Sequence, residues 1–223
     1  HACGHDAHTA MLLGAARALL DCQDELEGDV LLCFERGEES GGNVKYLFAY
    51  MEQQGIHVDS CFGLHANVPA PTGSIIINDT DTLAGSMGFE VTLEGQGGHG
   101  SRPEKCIDPI NTGVHVYLAL QELIARECPA ISETALTIGQ FCAGSASNVI
   151  PETAVLQGTM RSFDEKTMSH LIARLNEIVP SVAGAYRTKA EIEVISDVPI
   201  VRCNEKLNQE IVEGLKELEP ELK

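Results

Sequence analysis

Three histidines, one cysteine and one aspartate fall within the first eight residues of this chain, HACGHDAH. That is more donor chemistry than a helix face or a core strand needs. Cys3 and His5 offer sulfur and nitrogen two residues apart. An adjacent carboxylate pair, Glu38 and Glu39, and a histidine closing an apolar run, His65, add oxygen and further nitrogen. Such a mixed set suits Zn²⁺, Mn²⁺ or a similar borderline cation. Two neighbouring glutamates can also divide the work. One coordinates; the other, left free, deprotonates a water whose pKa the cation has lowered toward ~7. That is hydrolytic chemistry. A further cluster, GQGGHGSRP at 95–103, sets His99 among four glycines. Taken singly, each piece has a plainer reading: a glycine-rich hairpin, a solvated EE pair, a hydrogen-bonded strand-end histidine. Three such clusters in one chain favour the chemical reading.

Periodicity predicts the elements that position these groups. Met11, Leu12, Ala15 and Leu19 place one apolar face on a helix over 8–20. GDVLLCF (28–34) reads as a buried strand, 41–54 as a helix carrying Val44, Leu47, Phe48 and Met51, and DSCFGLH (59–65) as a second strand. Helices alternating with continuous apolar strands predict an α/β fold with a parallel sheet, whose ligands gather at the carboxyl ends of the strands. Glu38 and Glu39 lie just past the first of these ends and His65 at the second. From Met87 the pattern changes to alternating strands at 89–95, 134–141, 153–163 and 189–195, with amphipathic helices at 109–126 and 166–183. That order is the split unit of ferredoxin-like folds, with helices on one face of an antiparallel sheet. The predicted domains are a metal-binding region at 1–84, a second domain at 85–196, and a return at 197–223 through an acidic helix at 204–218.

Composition narrows the partners. At 223 residues and 43% hydrophobic content the chain can build real cores. Its formal charge of -18 repels a phosphate backbone and an anionic membrane surface, which argues against nucleic acid and membrane partners. No apolar run approaches the roughly 20 residues of a membrane span. The eight cysteines are irregularly spaced. Cys33 and Cys61 read as small buried residues of strands, and most of the eight as free thiols, which predicts a reducing, cytoplasmic setting.

In order along the chain, HACGHDAHTAMLLGAA, GEESGGN, GLHANVP, GQGGHGSRPEKCIDPIN and SASNVIPETAVLQGTMRSF resemble the successive motifs of the aminoacylase and carboxypeptidase type of dinuclear metallohydrolases. They are most similar to the amidohydrolase branch that holds hippurate hydrolase and the plant indole-acetyl-amino-acid hydrolases. The resemblance runs from residue 1 to about residue 165. It implies a parallel-sheet catalytic domain with an inserted ferredoxin-like lid that forms a homodimer, and two divalent cations, zinc or manganese. Residue by residue, it implies that Cys3, His5, Glu39 and His65 are metal ligands, Cys3 bridging the two cations, and that Glu38 is the general base. His99 would polarise the substrate carbonyl and stabilise the oxyanion from the partner subunit, while Asn148 and Arg161 would bind the substrate carboxylate or backbone. His1 and His8 receive no coordinating role.

The implied reaction cleaves the amide of an N-acyl amino acid to a carboxylate and a free amino acid. Alternatives are a dipeptide metallopeptidase of the same family, or a non-catalytic binding or dimerisation module. A thiol hydrolase built on Cys3 and His5 would resist chelators, and a zinc nucleobase deaminase would need a P-C-x-x-C segment that does not follow the opening motif. The family's R-x-D-x-D strand ahead of HACGHD and its final histidine ligand are not found, and Glu104 stands where this branch often carries a histidine. The expectation is therefore an internal piece of a longer protein, with four of five ligands, a folded second domain, a poorly ordered catalytic half and little activity by itself.

Overall fold

Met87, Phe89, Val91 and Leu93 occupy every second position of one strand, and a strand so patterned buries one face and wets the other. The computed structural model, which describes residues 2–40, 43–67, 70–78, 81–219 and 221, carries that pattern into a packed layer. The chain divides into two compact units, His1–Ile76 with Leu215–Lys223, and Ile77–Gly214.

The first unit contains helices α1 (His5–Asp21) and α2 (Val44–Gln54), with single 3-10 turns at Gln23–Glu25 and Glu38–Ser40. The second contains β1 (Asp81–Leu83), β2 (Gly85–Glu94), β3 (Gly98–His99), α3 (Pro109–Glu127), β4 (Thr134–Ala143), β5 (Val149–Ile150), β6 (Thr153–Ser162), α4 (Glu165–Ala185), β7 (Lys189–Val198), β8 (Val201–Arg202) and most of α5 (Glu205–Leu218).

In the second unit four strands form an antiparallel sheet in the order β4-β6-β2-β7, with α3 and α4 packed against it. Phe89, Val91 and Leu93 of β2, Leu156 and Met160 of β6, Val116, Leu120 and Leu123 of α3, and Leu171, Leu175 and Val179 of α4 are all buried in one cluster. Both helices start on an aspartate. Asp108 accepts from the Ile110 and Asn111 amides ahead of Pro109, and Asp164 accepts from the Thr167 amide and hydroxyl. Those Thr167 bonds hold the Asp164 carboxyl below the usual carboxylate range. Gly158 of β6 lies opposite Phe89, where a Cβ would come within 2.6 Å of the Phe89 ring and 2.7 Å of the Thr137 carbonyl. Only hydrogen fits there. Truncating Leu156, which is fully buried, to alanine is expected to destabilise this unit by about 2–5 kcal/mol through lost burial and a residual cavity. Urea unfolding would show it as a lower midpoint at unchanged m-value.

The second unit extends further than the predicted 85–196. β1 and β8 pair antiparallel, Asp81 opposite Arg202, with Arg202 Nε 3.2 Å from Asp81 Oδ1. Residues 197–214, expected in the returning segment, therefore lie with the second unit.

The first unit departs more from expectation. Neither 28–34 nor 59–65 forms a strand, so there is no parallel sheet among its described residues. Val30, Leu31, Phe34, Phe62 and Leu64 are exposed, as are Cys33 and Cys61, which were expected to be buried. The reason is physical: a parallel strand needs neighbours on its edges and helices over its faces. With two candidate strands and two helices in this unit, neither strand finds that cover. No described residue of His1–Ile76 is buried. The best-covered stripe of α1 is His5, His8, Leu12, Ala16 and Leu19, all half-buried at helical spacing. Met11 and Ala15 of the predicted stripe are exposed. The predicted helix at 41–54 begins at Val44, and residues 41 and 42 lie outside the described residues.

Candidate metal centre

The opening motif folds as a helix start. Gly4 sits at the N-cap of α1 with φ 80, a left-handed conformation that glycine adopts without Cβ strain, and its carbonyl accepts from the His8 amide at 3.1 Å. Cys3 is thereby placed just ahead of the helix, while His5 and His8 fall on its covered face.

Cys3 Sγ lies 3.3 Å from His65 Nε2. The other ring nitrogen of His65 is 2.7 Å from the Ala66 carbonyl oxygen, so Nδ1 carries the proton and Nε2 presents its lone pair to Cys3. Glu38 and Glu39 occupy the 3-10 turn, Glu38 Oε2 at 3.7 Å and Glu39 Oε1 at 3.8 Å from His5 Nε2. Donor atoms of Cys3, His5 and His65 lie within 4.8 Å of one another, and so do those of His5, Glu38 and Glu39, with His5 common to both groups. Ala2, Cys3, Gly4, His5 and Glu39 line a concavity of about 340 Å³.

The donor set fits divalent cations. With Zn–S about 2.3 Å and Zn–N about 2.0–2.1 Å, tetrahedral ligands sit about 3.5 Å apart, close to the observed Cys3–His65 separation. The Cys3 thiol is pushed up by desolvation first, then by its hydrogen bond to Glu39 and by the Glu39 and Glu38 charges. Alone it stays protonated, and coordination to a divalent cation reverses that preference. Glu39 and His65 thus both reach Cys3.

The histidine with no expected role has a definite place. His8 Nε2 accepts the Ala66 amide at 2.9 Å, and its ring meets that of His65 edge-on, centroids 4.4 Å apart. Desolvation, followed by His65 and His5, holds the imidazole below its ordinary pKa, in keeping with an acceptor nitrogen. Its spacing of three from His5 was the available signal, since that interval puts both rings on one helical face.

His99, Asn148 and Arg161 belong to the second unit. His99 is exposed on β3, opposite Val149 of β5, and its Nδ1 accepts from the Ser101 amide at 3.2 Å. The Gly100 amide donates to the Asn148 carbonyl at 2.8 Å, so His99 and Asn148 stand on adjoining segments. Arg161 is not brought to them. It lies near the end of β6, opposite Ser86 and Ala135, eight residues and roughly 26 Å along the strand from Thr153. A larger concavity of about 480 Å³, lined by His115, Leu118, Glu122 and Tyr186 among others, is mostly apolar and holds no convergent donor set.

Against known proteins, the model of peptidase family M20/M25/M40 matches residues 1–223. The chain is 36% identical over 199 residues to IAA-amino acid hydrolase ILR1-like 4 of Arabidopsis thaliana, covering 88% of this chain and 44% of that protein. It is 34% identical over 206 residues to N-acetyl-L-cysteine deacetylase of Bacillus subtilis, covering 92% and 49%. Among solved structures, a dinuclear metal-binding peptidase of the M20 family from Bacillus subtilis superposes with TM-score 0.74 at 26% identity, over 98% of this chain and 55% of that one. The chain thus spans about half the length of the proteins it matches.

Proposed function

Because the chain belongs to peptidase family M20/M25/M40, we propose that it carries the first-half metal ligands and the lid of a two-metal amidohydrolase that cleaves N-acyl amino acids. The observation that carries this reading is the convergence of Cys3, His5, Glu39 and His65, with Glu38 beside them, within one unit. The names of relatives agree with it, N-acetyl-L-cysteine deacetylase and, at 35% identity, N-acyl-L-amino acid amidohydrolase of Geobacillus stearothermophilus.

In this reading Cys3, His5, Glu39 and His65 would hold two divalent cations, zinc or manganese, with Cys3 within reach of both Glu39 and His65. Such cations would supply the lowered pKa of an attacking water and the polarisation of the scissile carbonyl. Glu38 accepts the proton of the attacking water and later delivers it to the leaving amine. His99 donates to the developing oxyanion, Arg161 forks onto the substrate carboxylate, and Asn148 holds its backbone. Residues 1–84 then serve as the metal-binding domain, and 85–196 as a lid through which two copies dimerise. His99 lies on β3, paired with β5, and Arg161 near the far end of β6 in the four-stranded sheet, a separation that suits a site taking them from different subunits. Eight free thiols agree with a reducing, cytoplasmic setting, and none of the described helices is long and apolar enough to cross a membrane.

A second reading, a peptidase acting on small peptides, has support in 34% identity over 221 residues to thermostable carboxypeptidase 2 of Saccharolobus solfataricus. Full-length protein supplied with Mn²⁺ or Zn²⁺ and assayed on acetyl-, benzoyl- and indole-acetyl-amino acids beside unblocked dipeptides separates the two. Acyl amino acids are expected to turn over and dipeptides to lag. A chelator should abolish activity and readded metal restore it, whereas activity that resists chelation but dies with a thiol alkylator would mean a cysteine nucleophile instead.

A further inference from the structure

We propose that His8 is a positioning residue for the His65 donor, acting through the backbone of Ala66. The inference rests on the reading of Cys3, His5 and His65 as cation donors. Ala66 is bonded on both sides. Its amide donates to His8 Nε2 at 2.9 Å, and its carbonyl accepts from His65 Nδ1 at 2.7 Å. The second bond fixes the His65 tautomer that leaves Nε2 toward Cys3. The first ties that carbonyl to α1, the element that also places Cys3 and His5.

The tether matters because the segment leading to His65 has no ladder of its own: 59–65 forms no strand and Phe62 and Leu64 are exposed. Packing agrees with a built junction. The His8 and His65 rings lie 4.4 Å apart at 65°, and a Cβ on Gly4 would meet Ala66 Cβ at 3.4 Å and His8 Nε2 at 3.8 Å. His8 does not serve as a ligand through Nε2, because that lone pair is taken by the Ala66 amide.

Cobalt(II) titrated into the metal-free full chain tests this. The thiolate-to-cobalt absorption band reports whether Cys3 joins the ion, and the titration gives affinity. His8→Phe, which keeps a ring without an acceptor, and His8→Ala are expected to weaken Co²⁺ binding by about 10–100-fold and reduce the band, with far-UV circular dichroism unchanged. His8→Gln, whose amide oxygen can accept from Ala66, is expected to stay within about threefold of wild type. Wild-type binding in both His8→Phe and His8→Ala, or a His8→Gln loss equal to that of His8→Ala, overturns the inference. Should one variant fail to fold, the other two still decide it. A wild-type chain with no thiolate band, or a band indifferent to Cys3→Ser, removes the donor cluster itself and this inference with it.

Discussion

Replacing Glu38 by glutamine is expected to lower turnover by about 10²–10⁴-fold, the range a positioned general base supplies, while metal content stays near wild type. Glutamine matches glutamate in size but cannot take a proton from water. The distinction from Glu39 lies in the surroundings. Glu39 lines the concavity with Cys3 and His5 and is hydrogen-bonded to Cys3, as a ligand between two donors should be. Glu38 is 3.7 Å from His5 Nε2 yet does not line that concavity, while both carboxylates are more than half exposed, so the lining and the bond to Cys3 carry the distinction. Glu39→Gln is accordingly expected to lose metal first and activity as a result. Elemental analysis paired with single-turnover rates on full-length protein tells the two apart. A Glu38→Gln enzyme keeping more than about a tenth of wild-type turnover, or the two phenotypes exchanged, would reverse the assignment.

The second unit was legible because its signals are local. Period-2 alternation at 89–95, 134–141, 153–163 and 189–195 falls on β2, β4, β6 and β7, and the helical stripes at 109–126 and 166–183 fall on α3 and α4. The ends were fixed by chemistry that could also be read, Asp108 before Pro109 and Asp164 before Thr167. What escaped were the strands of two or three residues, β3 with β5 and β1 with β8, which have too few positions to show a period and exist only because a distant partner is present.

The first unit shows the opposite limit. VLLCF and CFGL have the apolar composition of buried strands, but composition states only what a segment would do given neighbours and cover. His8 is an intermediate case. The motif HACGHDAH displayed three histidines equally, and donor type could not rank them. Their ranking came from helical geometry, which puts His5 and His8 on one face, and from a long-range bond to Ala66 that no local pattern encodes. His99 and Asn148 were likewise named from separate motifs, and the β3–β5 pairing makes them neighbours.

That neighbourhood leads to the last expected result. If each active site borrows His99 from a partner's lid, a mixture of His99→Ala and Glu38→Gln chains should recover activity that neither variant has alone. In a mixed dimer one site combines both lesions. The other has an intact Glu38 and receives an intact His99, so it works at wild-type rate. Random pairing of equal amounts makes about half the dimers mixed, each with one working site of two, so recovery should approach about 25% of wild type. A site built wholly within one subunit would leave one lesion in every site and recover nothing. Arg161 sharpens the test, because β6 carries it roughly 26 Å along the strand from the end nearest His99. With Arg161 in cis, Arg161→Ala behaves like Glu38→Gln and rescues His99→Ala to about the same 25%; with Arg161 in trans, beside His99, each site of the mixed dimer has one lesion and activity stays at the level of the single variants. Native mass spectrometry of the mixture verifies that mixed dimers form, and their presence without any recovered turnover in the Glu38→Gln pairing would place His99 in its own subunit's site or outside the chemistry.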